Sequence, residues 1–322
     1  MDSDYDVVVV VGGGAAGLSG ALVLSRARRS VLVVDAGEPR NAPAGHVHNY
    51  LAREGTPPAE LVAIGREEVA SYGGQVVTGV VRAVRRRSEP VGFDVELGNG
   101  SAVGARRLLV TTGLVDELPD VPGLARRWGK DVLHCPYCHG WEVRDQVIGV
   151  LATGAMSVHQ ALLFRQWSDD VVLLQHTAAP RTEQELEQLA ARGIAVVAGE
   201  VDHVDVLDDR LRGVVLRSGG VVPLQALVVA PFFRARAGVL ADLGLEPVPV
   251  SKGDQVVGTR ISSDPSGATA VPGVWVAGNL ADPFVQVIAS AAGGLQAGAV
   301  LNADLVAEDT AVAVERARAV PV

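Results

Sequence analysis

Five valines, Val7 to Val11, run directly into Gly12-Gly13-Gly14-Ala15-Ala16-Gly17. A continuous β-branched run predicts a strand buried on both faces, as in a parallel sheet. The apolar stretch from about Leu18 to Ala27 predicts a helix, and Val31 to Val34, ending at Asp35, a second strand. Strand, glycine turn, helix and strand make a nucleotide-binding βαβ unit, and G-x-G-x-x-G gives each glycine a task. Gly12 permits the tight turn, Gly14 lets backbone approach a pyrophosphate, and Gly17 lets helix and strand pack closely. The helix start adds unpaired N–H groups and partial positive charge. Asp35 is placed to accept hydrogen bonds from a ribose. The turn by itself does not choose between FAD and NAD.

A second βαβ pattern follows: strand Val147 to Leu151, helix Met156 to Gln166, strand Val171 to Leu174. The fold class expected is α/β, with two Rossmann-like (three-layer ββα) nucleotide-binding domains, the second inserted into the first. Turn residues at Leu118-Pro119-Asp120-Val121-Pro122-Gly123 and from Gly244 to Pro249 mark the hinges. The expected division is 1–117 and 247–322 for the first domain and 118–246 for the insertion. Two segments favour FAD in the first. One is Val110-Thr111-Thr112-Gly113, a buried strand ending in small residues. The other is Val274-Trp275-Val276-Ala277-Gly278-Asn279, leading through Asp282-Pro283 into an apolar helix from about Gln286. A helix N-terminus beside a flavin stabilises negative charge on the reduced ring.

The 322 residues are enough for two cores. With 48% hydrophobic and 20% charged residues, the composition is that of a globular protein. A net charge of −9 argues against nucleic acid or an anionic membrane as partner. No apolar run approaches the roughly 20 residues of a membrane helix. Met1 to Asp6 carries three Asp and gives no signal-peptide pattern, so a cytoplasmic location is the expectation.

The chain has two cysteines, in His134-Cys135-Pro136-Tyr137-Cys138-His139. A cross-link staples distant segments, and this pair is only three residues apart. Zinc is one reading of the cluster, but adjacent His and Cys cannot all reach one tetrahedral ion, and the chain has no second cysteine pair. No metal is therefore expected. The redox reading has a mechanism: a C-x-x-C at a helix start lowers a thiol pKa, and His139 supplies a base titrating near neutrality. A solvated surface histidine is the alternative for His139.

With these motifs the chain resembles the low-molecular-weight thioredoxin reductase family over essentially its whole length. The resemblance implies a homodimer, with FAD bound by the outer domain and the dithiol alternating between flavin and substrate. Cys138 would face the flavin and Cys135 would exchange with substrate. FAD contacts would come from Gly12, Gly14, Ala15, Ala16, Gly17, Asp35, Ala36, Arg40, Asn41, Thr112, Gly113, Gly278, Asn279, Gln286 and Val287.

The departures from that family concern the electron donor. The reductases follow the second cysteine with an aspartate, where this chain has His139. Ala152-Thr153-Gly154 stands in place of the second glycine turn, putting methyl groups where bare backbone should meet a pyrophosphate. Gln175-His176-Thr177 replaces the paired arginines that grip a 2′-phosphate, with Arg181 the nearest guanidinium. Two lost charge-assisted bonds at about 1.5–3 kcal/mol each remove roughly 10²–10⁴ in affinity. Asn279, where the family usually has aspartate, can still bond a ribityl hydroxyl.

C-P-aromatic-C-His with a degraded nicotinamide site is similar to the FAD-dependent dithiol oxidases of gliotoxin- and holomycin-type pathways. That branch implies oxidation of a small-molecule dithiol to a disulfide, with O2 reduced to H2O2. Three points stay open at this level. The alternative is a thioredoxin reductase-like disulfide reductase using NADPH or another donor such as ferredoxin, for which the Arg82-Arg85-Arg86-Arg87 cluster is the candidate docking patch. A redox switch would need no substrate. His46 and His48 either line a substrate pocket or are ordinary loop residues.

Overall fold

The computed structural model describes residues 4–10, 12–154 and 156–319; Val11, expected to end the first strand, lies outside them. The first unit runs β1 (Asp4–Val10), α1 (Ala15–Arg26), β2 (Val31–Asp35), α2 (Pro58–Ser71), β3 (Gln75–Thr78), β4 (Val81–Ser88), β5 (Val91–Leu97) and β6 (Ala102–Val110). Its sheet has the order β3-β2-β1-β6-β5-β4. β3, β2, β1 and β6 are parallel, in a register that sets Val7 against Val31 on one side and Arg107 on the other. Every residue of β2 is buried, which is why the run reads as unbroken Val and Leu. α1 begins at Ala15 rather than near Leu18, because Ala15 and Ala16 favour helix and Gly14 serves as the cap.

Two strands carry the chain out of this sheet and back. Leu114–Glu117 and Phe232–Ala235 lie antiparallel, side by side, and the hairpin Val248–Lys252/Gln255–Arg260 completes their four-stranded sheet. Between the two crossings lies a fully parallel five-stranded sheet. Its order is Ala195–Val197, Val171–Leu174, Ile148–Leu151, Ala226–Val228, Val132–Leu133. A three-stranded antiparallel sheet, Val201–Leu207, Arg210–Leu216 and Val221–Pro223, covers it. The chain then rejoins the first sheet as Val274–Val276, parallel to β6. The expected arrangement of one Rossmann-like unit inserted into another is the arrangement found.

The helix Val287–Ala319 closes the first unit by lying along α1. The approach is too close for a side chain: a Cβ on Gly294 would sit 1.9 Å from the Ala16 carbonyl oxygen. Arg106 and Arg107 of β6 fasten its far end, reaching Glu308 and Asp309 from one and Asp304 and Glu308 from the other. The core between has Leu24, Leu109, Leu301 and Leu305 fully buried. Truncating any one to alanine costs about 2–5 kcal/mol. Among the described residues no helix is long and apolar enough to cross a membrane.

Candidate active site

Contact distances at the first glycine turn set its shape. A Cβ on Gly17 would lie 1.8 Å from the Gly12 carbonyl oxygen, and one on Gly12 2.2 Å from Thr111 Oγ1. Gly13, given no role from the sequence, is equally tight, its Cβ direction meeting Asp35 Oδ2 at 2.3 Å. Gly14 differs, since a Cβ there would meet nothing within 4 Å. Its open side faces a cavity of about 480 Å³, within the usual range for small molecules and cofactors. No side chain caps α1, so its first-turn N–H groups have no intrahelical partner beside that space.

The fold brings every residue expected to contact FAD, together with the cysteines and His139, to this one cavity. Gly12, Gly14, Ala15, Ala16 and Gly17 line it from the turn, and Asp35, Ala36, Arg40 and Asn41 from the loop after β2. Thr112 and Gly113 line it from the end of β6. Gly278, Asn279, Gln286 and Val287 do so from the approach to the long helix, and Cys135, Cys138 and His139 from the opposite wall. The cradle fits a polar dinucleotide: beside the open Gly14, Thr112 Oγ1 is buried without a hydrogen-bond partner, as a group waiting for a ligand would be.

Three of these side chains also have partners within the protein. Asp35 is buried, accepts the Gly37 N–H at 3.2 Å and pairs with Arg66, a residue of α2 that the motif did not indicate. Arg40 makes a bidentate pair with Asp116 at 2.7 and 2.8 Å, reaches Asn279 Oδ1 at 3.1 Å and stacks on Phe233. Asn279 spends its amide N–H groups on the carbonyls of Val285 at 3.0 Å and Asp282 at 3.2 Å, shaping the loop that leads into the long helix. An aspartate at 279 has no hydrogen to donate there.

The dithiol follows the edge strand Val132–Leu133. Cys135 precedes a single helical turn, Pro136–His139. The Cys138 thiol donates to Cys135 and, outweighing burial, brings the Cys135 pKa down to about 7; the N–H groups of Cys138 and Tyr137 and the charge of Arg40 add to this. The same hydrogen bond, with burial, pushes Cys138 up, so the pair shares one proton and Cys135 holds the charge. Gln286 Nε2 lies 4.0 Å from Cys135 Sγ. Burial pulls His139 below its ordinary value; Glu142 opposes this and His48 adds to it. His139 Nε2 is buried with no partner, so this histidine is no solvated surface residue. It lines the cavity together with both thiols. His46 and His48 also line the cavity.

The second turn has the same local fold and a different surface. Ala152 is fully buried, its methyl group in the core of the inserted unit, so it does not obstruct a pyrophosphate as the sequence suggested. The obstruction is at Gly154, where a Cβ would meet Gln255 Oε1 at 2.0 Å. The side chain of Gln255, from the hairpin after the second crossing, covers that face. Gln175 donates to the carbonyls of Ala178 and Ala179 at 2.6 and 2.7 Å, and Arg181, 4% exposed, also turns onto Ala179. His176 has φ +42° and accepts the Val201 N–H at 3.1 Å. Among the described residues of this loop, Gln175, His176 and Arg181 each bond within the protein, and Arg181 Nε is buried without a partner. In the arginine-rich β4, Arg85 pairs with Glu96 and Arg87 with Asp4, which removes much of its character as a basic patch.

Comparison with known proteins agrees with this architecture. The solved structure of HlmI matches with a TM-score of 0.90 at 47% identity, covering 99% of this chain and 98% of that one. Thioredoxin reductase sirT of Leptosphaeria maculans is 28% identical over 320 residues, 94% of this chain and 95% of its own. Thioredoxin reductase tcpT of Claviceps purpurea is 34% identical over 157 residues, 48% of this chain. The chain spans less than half the length of some fungal relatives it matches, 49% of tcpT and 37% of a probable thioredoxin reductase of Arthroderma benhamiae. Residues 6–298 match the model of one family, and the chain belongs to it: the pyridine nucleotide-disulphide oxidoreductases.

Proposed function

We propose that the protein is an FAD- and oxygen-dependent dithiol oxidase, closing an intramolecular disulfide in a small-molecule dithiol and producing H2O2. One observation carries this reading. The thiols and His139 open on the same cavity as the first glycine turn, while the second turn is covered by Gln255. In this reading residues 1–117 and 247–322 hold FAD, and 118–246 carry the dithiol. The pyrophosphate would lie against Gly12 to Gly17, and the flavin near Thr112, Gly113, Asn279, Gln286 and Val287. FAD, when bound, supplies a two-electron acceptor for the dithiol that oxygen reoxidises. The exposed Ile288, Leu295 and Val306 of the long helix support a homodimer, and a cytoplasmic location completes the proposal.

The protein groups act on protons and sulfur. Neutral His139 takes the proton of one substrate thiol. The resulting thiolate attacks Cys135 Sγ of the Cys135–Cys138 disulfide, and Cys138 leaves. The second substrate sulfur then attacks the first, releasing Cys135 and the product disulfide. A leaving thiol of lower pKa departs faster, so the pKa of about 7 at Cys135 favours this release. When His139 returns its proton to the cysteine pair and that proton lies on Cys135, Cys138 is left as the thiolate, the form that would face the cofactor in this reading.

The test is anaerobic rapid mixing of the purified flavoprotein with NADPH or with dithiothreitol, following flavin absorbance, then admission of oxygen with a peroxide assay. Dithiothreitol is expected to bleach the flavin and oxygen to restore it with peroxide. Rapid full bleaching by NADPH would overturn the reading.

A further inference from the structure

The cavity holds one imidazole that the steps above leave idle. His48 lines it together with His139 and both thiols. Its loop is closed by a backbone pair, the Val47 N–H on the Thr56 carbonyl at 2.8 Å and the Gly55 N–H on the Val47 carbonyl at 2.9 Å. His48 Nδ1 lies 2.5 Å from Glu54 Oε1, and Nε2 lies 3.4 Å from Glu142 Oε1. The second oxygen of Glu54 accepts the Asn49 N–H at 2.8 Å, which fixes the carboxylate. The Asn49 amide donates to the Tyr137 carbonyl at 2.6 Å, between the two cysteines in sequence, fastening the loop to the dithiol turn.

This geometry sets the tautomer. With Glu54 ionised, Nδ1–H donates to it and Nε2 keeps the lone pair. A proton arriving at Nε2 creates an imidazolium between two carboxylates, Glu54 and Glu142. A carboxylate holding one ring nitrogen while the other accepts a proton is the arrangement of an oriented general base. The reaction moves two protons, because a dithiol gives up both and only a thiolate attacks a disulfide, and a second base lets both be taken without a wait for the first to be regenerated. His139 accounts for one.

We propose that His48, oriented by Glu54, is the second general base, deprotonating the second substrate thiol so that the mixed disulfide on Cys135 closes. The inference rests on the dithiol-oxidase reading above. In the opening step His139 takes the first proton, a bond forms between the first substrate sulfur and Cys135, and the Cys135–Cys138 bond breaks. In the closing step His48 takes the second proton. The second substrate sulfur bonds to the first, and the bond to Cys135 breaks. The dithiol loses two electrons, the enzyme disulfide gains them, and both cysteines are left as thiolates beside two protonated histidines. The titratable groups around His48 are Glu54 and His46 from its own loop, and Glu142 and His139 from the dithiol turn.

The experiment is an anaerobic single turnover of the oxidised flavoprotein with dithiothreitol, and in parallel with 2-mercaptoethanol, which has no second thiol. Samples are quenched in acid and the adduct on Cys135 is read by protein mass. In His48→Asn the closing step is expected to fall at least about tenfold more than the opening step, so a dithiothreitol adduct accumulates. In Glu54→Gln the ring loses the carboxylate that orients it, and the closing step is expected to slow while the opening step keeps its rate. Equal loss of both steps, or closure at the wild-type rate in His48→Asn, would overturn the role of His48. Wild-type protein that forms no adduct with either thiol would instead remove the dithiol-oxidase reading itself.

Discussion

The chain builds a strand, glycine turn and helix twice, and only the first turn is open. At the first, Gly12 and Gly17 are pressed against backbone while Gly14 looks into the cavity. At the second, Gly154 is covered by Gln255, and Gln175, His176 and Arg181 all bond to their own loop or the adjoining strand. The contrast separates folding from binding. A βαβ unit persists because its strands are buried, as Ile148, Val150 and Leu151 are. A ligand site depends instead on which groups of the turn face open space, as Gly14 does and Gly154 does not, and a few side chains suffice to close it.

The largest expected effect tests which side feeds electrons. His139→Asn should slow flavin reduction by dithiothreitol by about 10²–10⁴ without opening a route from NADPH; stopped-flow absorbance measures both. In the wild type, burial holds His139 below its usual pKa. The neutral base therefore persists at lower pH, and the acid limb of flavin reduction is expected below pH 6.5. A limb above that value would contradict the buried position.

Gly17→Ala and Gly154→Ala probe the turns themselves. At Gly17 the new Cβ meets a fixed carbonyl oxygen at 1.8 Å, so backbone must move. A loss of about 2–3 kcal/mol and reduced flavin content are expected. At Gly154 the neighbour is the end of a flexible glutamine, and the change should stay within about 1 kcal/mol. Denaturant unfolding compares the pair, and equal losses would dissolve the distinction.

Asn279→Asp should cost about 1–3 kcal/mol, because carbonyls that accepted an amide would face a carboxylate oxygen. Thermal unfolding and flavin retention report it. The smallest effect leaves the protein intact: the rate of Cys135 alkylation by iodoacetamide should rise through a midpoint near pH 7, while Cys138 stays unreactive there. Mass mapping of the alkylated peptide distinguishes the two thiols.

Much of the site was legible because its signals are local. The spacing of Gly12, Gly14 and Gly17 carries the turn, and Cys135, Cys138 and His139 fall within five residues. Their meeting at one cavity needed the second unit to return beside the first, which the repeated βαβ pattern implied. What sequence reading missed comes from residues far apart along the chain. Asp116, which holds Arg40, lies 76 positions away, and Arg66 reaches Asp35 across 31. Spacing gives no sign of such pairs. The second turn failed in another way: its altered residues were recognised, but the methyl group of Ala152 points into the core, and the blocking atoms belong to Gln255.

By itself, then, the sequence determined the parallel strands of the two βαβ units, the first glycine cradle and a dithiol followed by histidine. These follow from short-range rules: burial of β-branched runs, the steric need for glycine, and the proximity of Cys135 and Cys138. Only the tertiary structure decided that one turn is open and the other covered, that Asn279 shapes a loop, and that His48, held between Glu54 and Glu142, lines the same cavity as the thiols. The reason is that hydrogen bonding and burial are settled by whichever polar groups the packed chain brings within about 3 Å, and those are set by the fold rather than by neighbours in sequence.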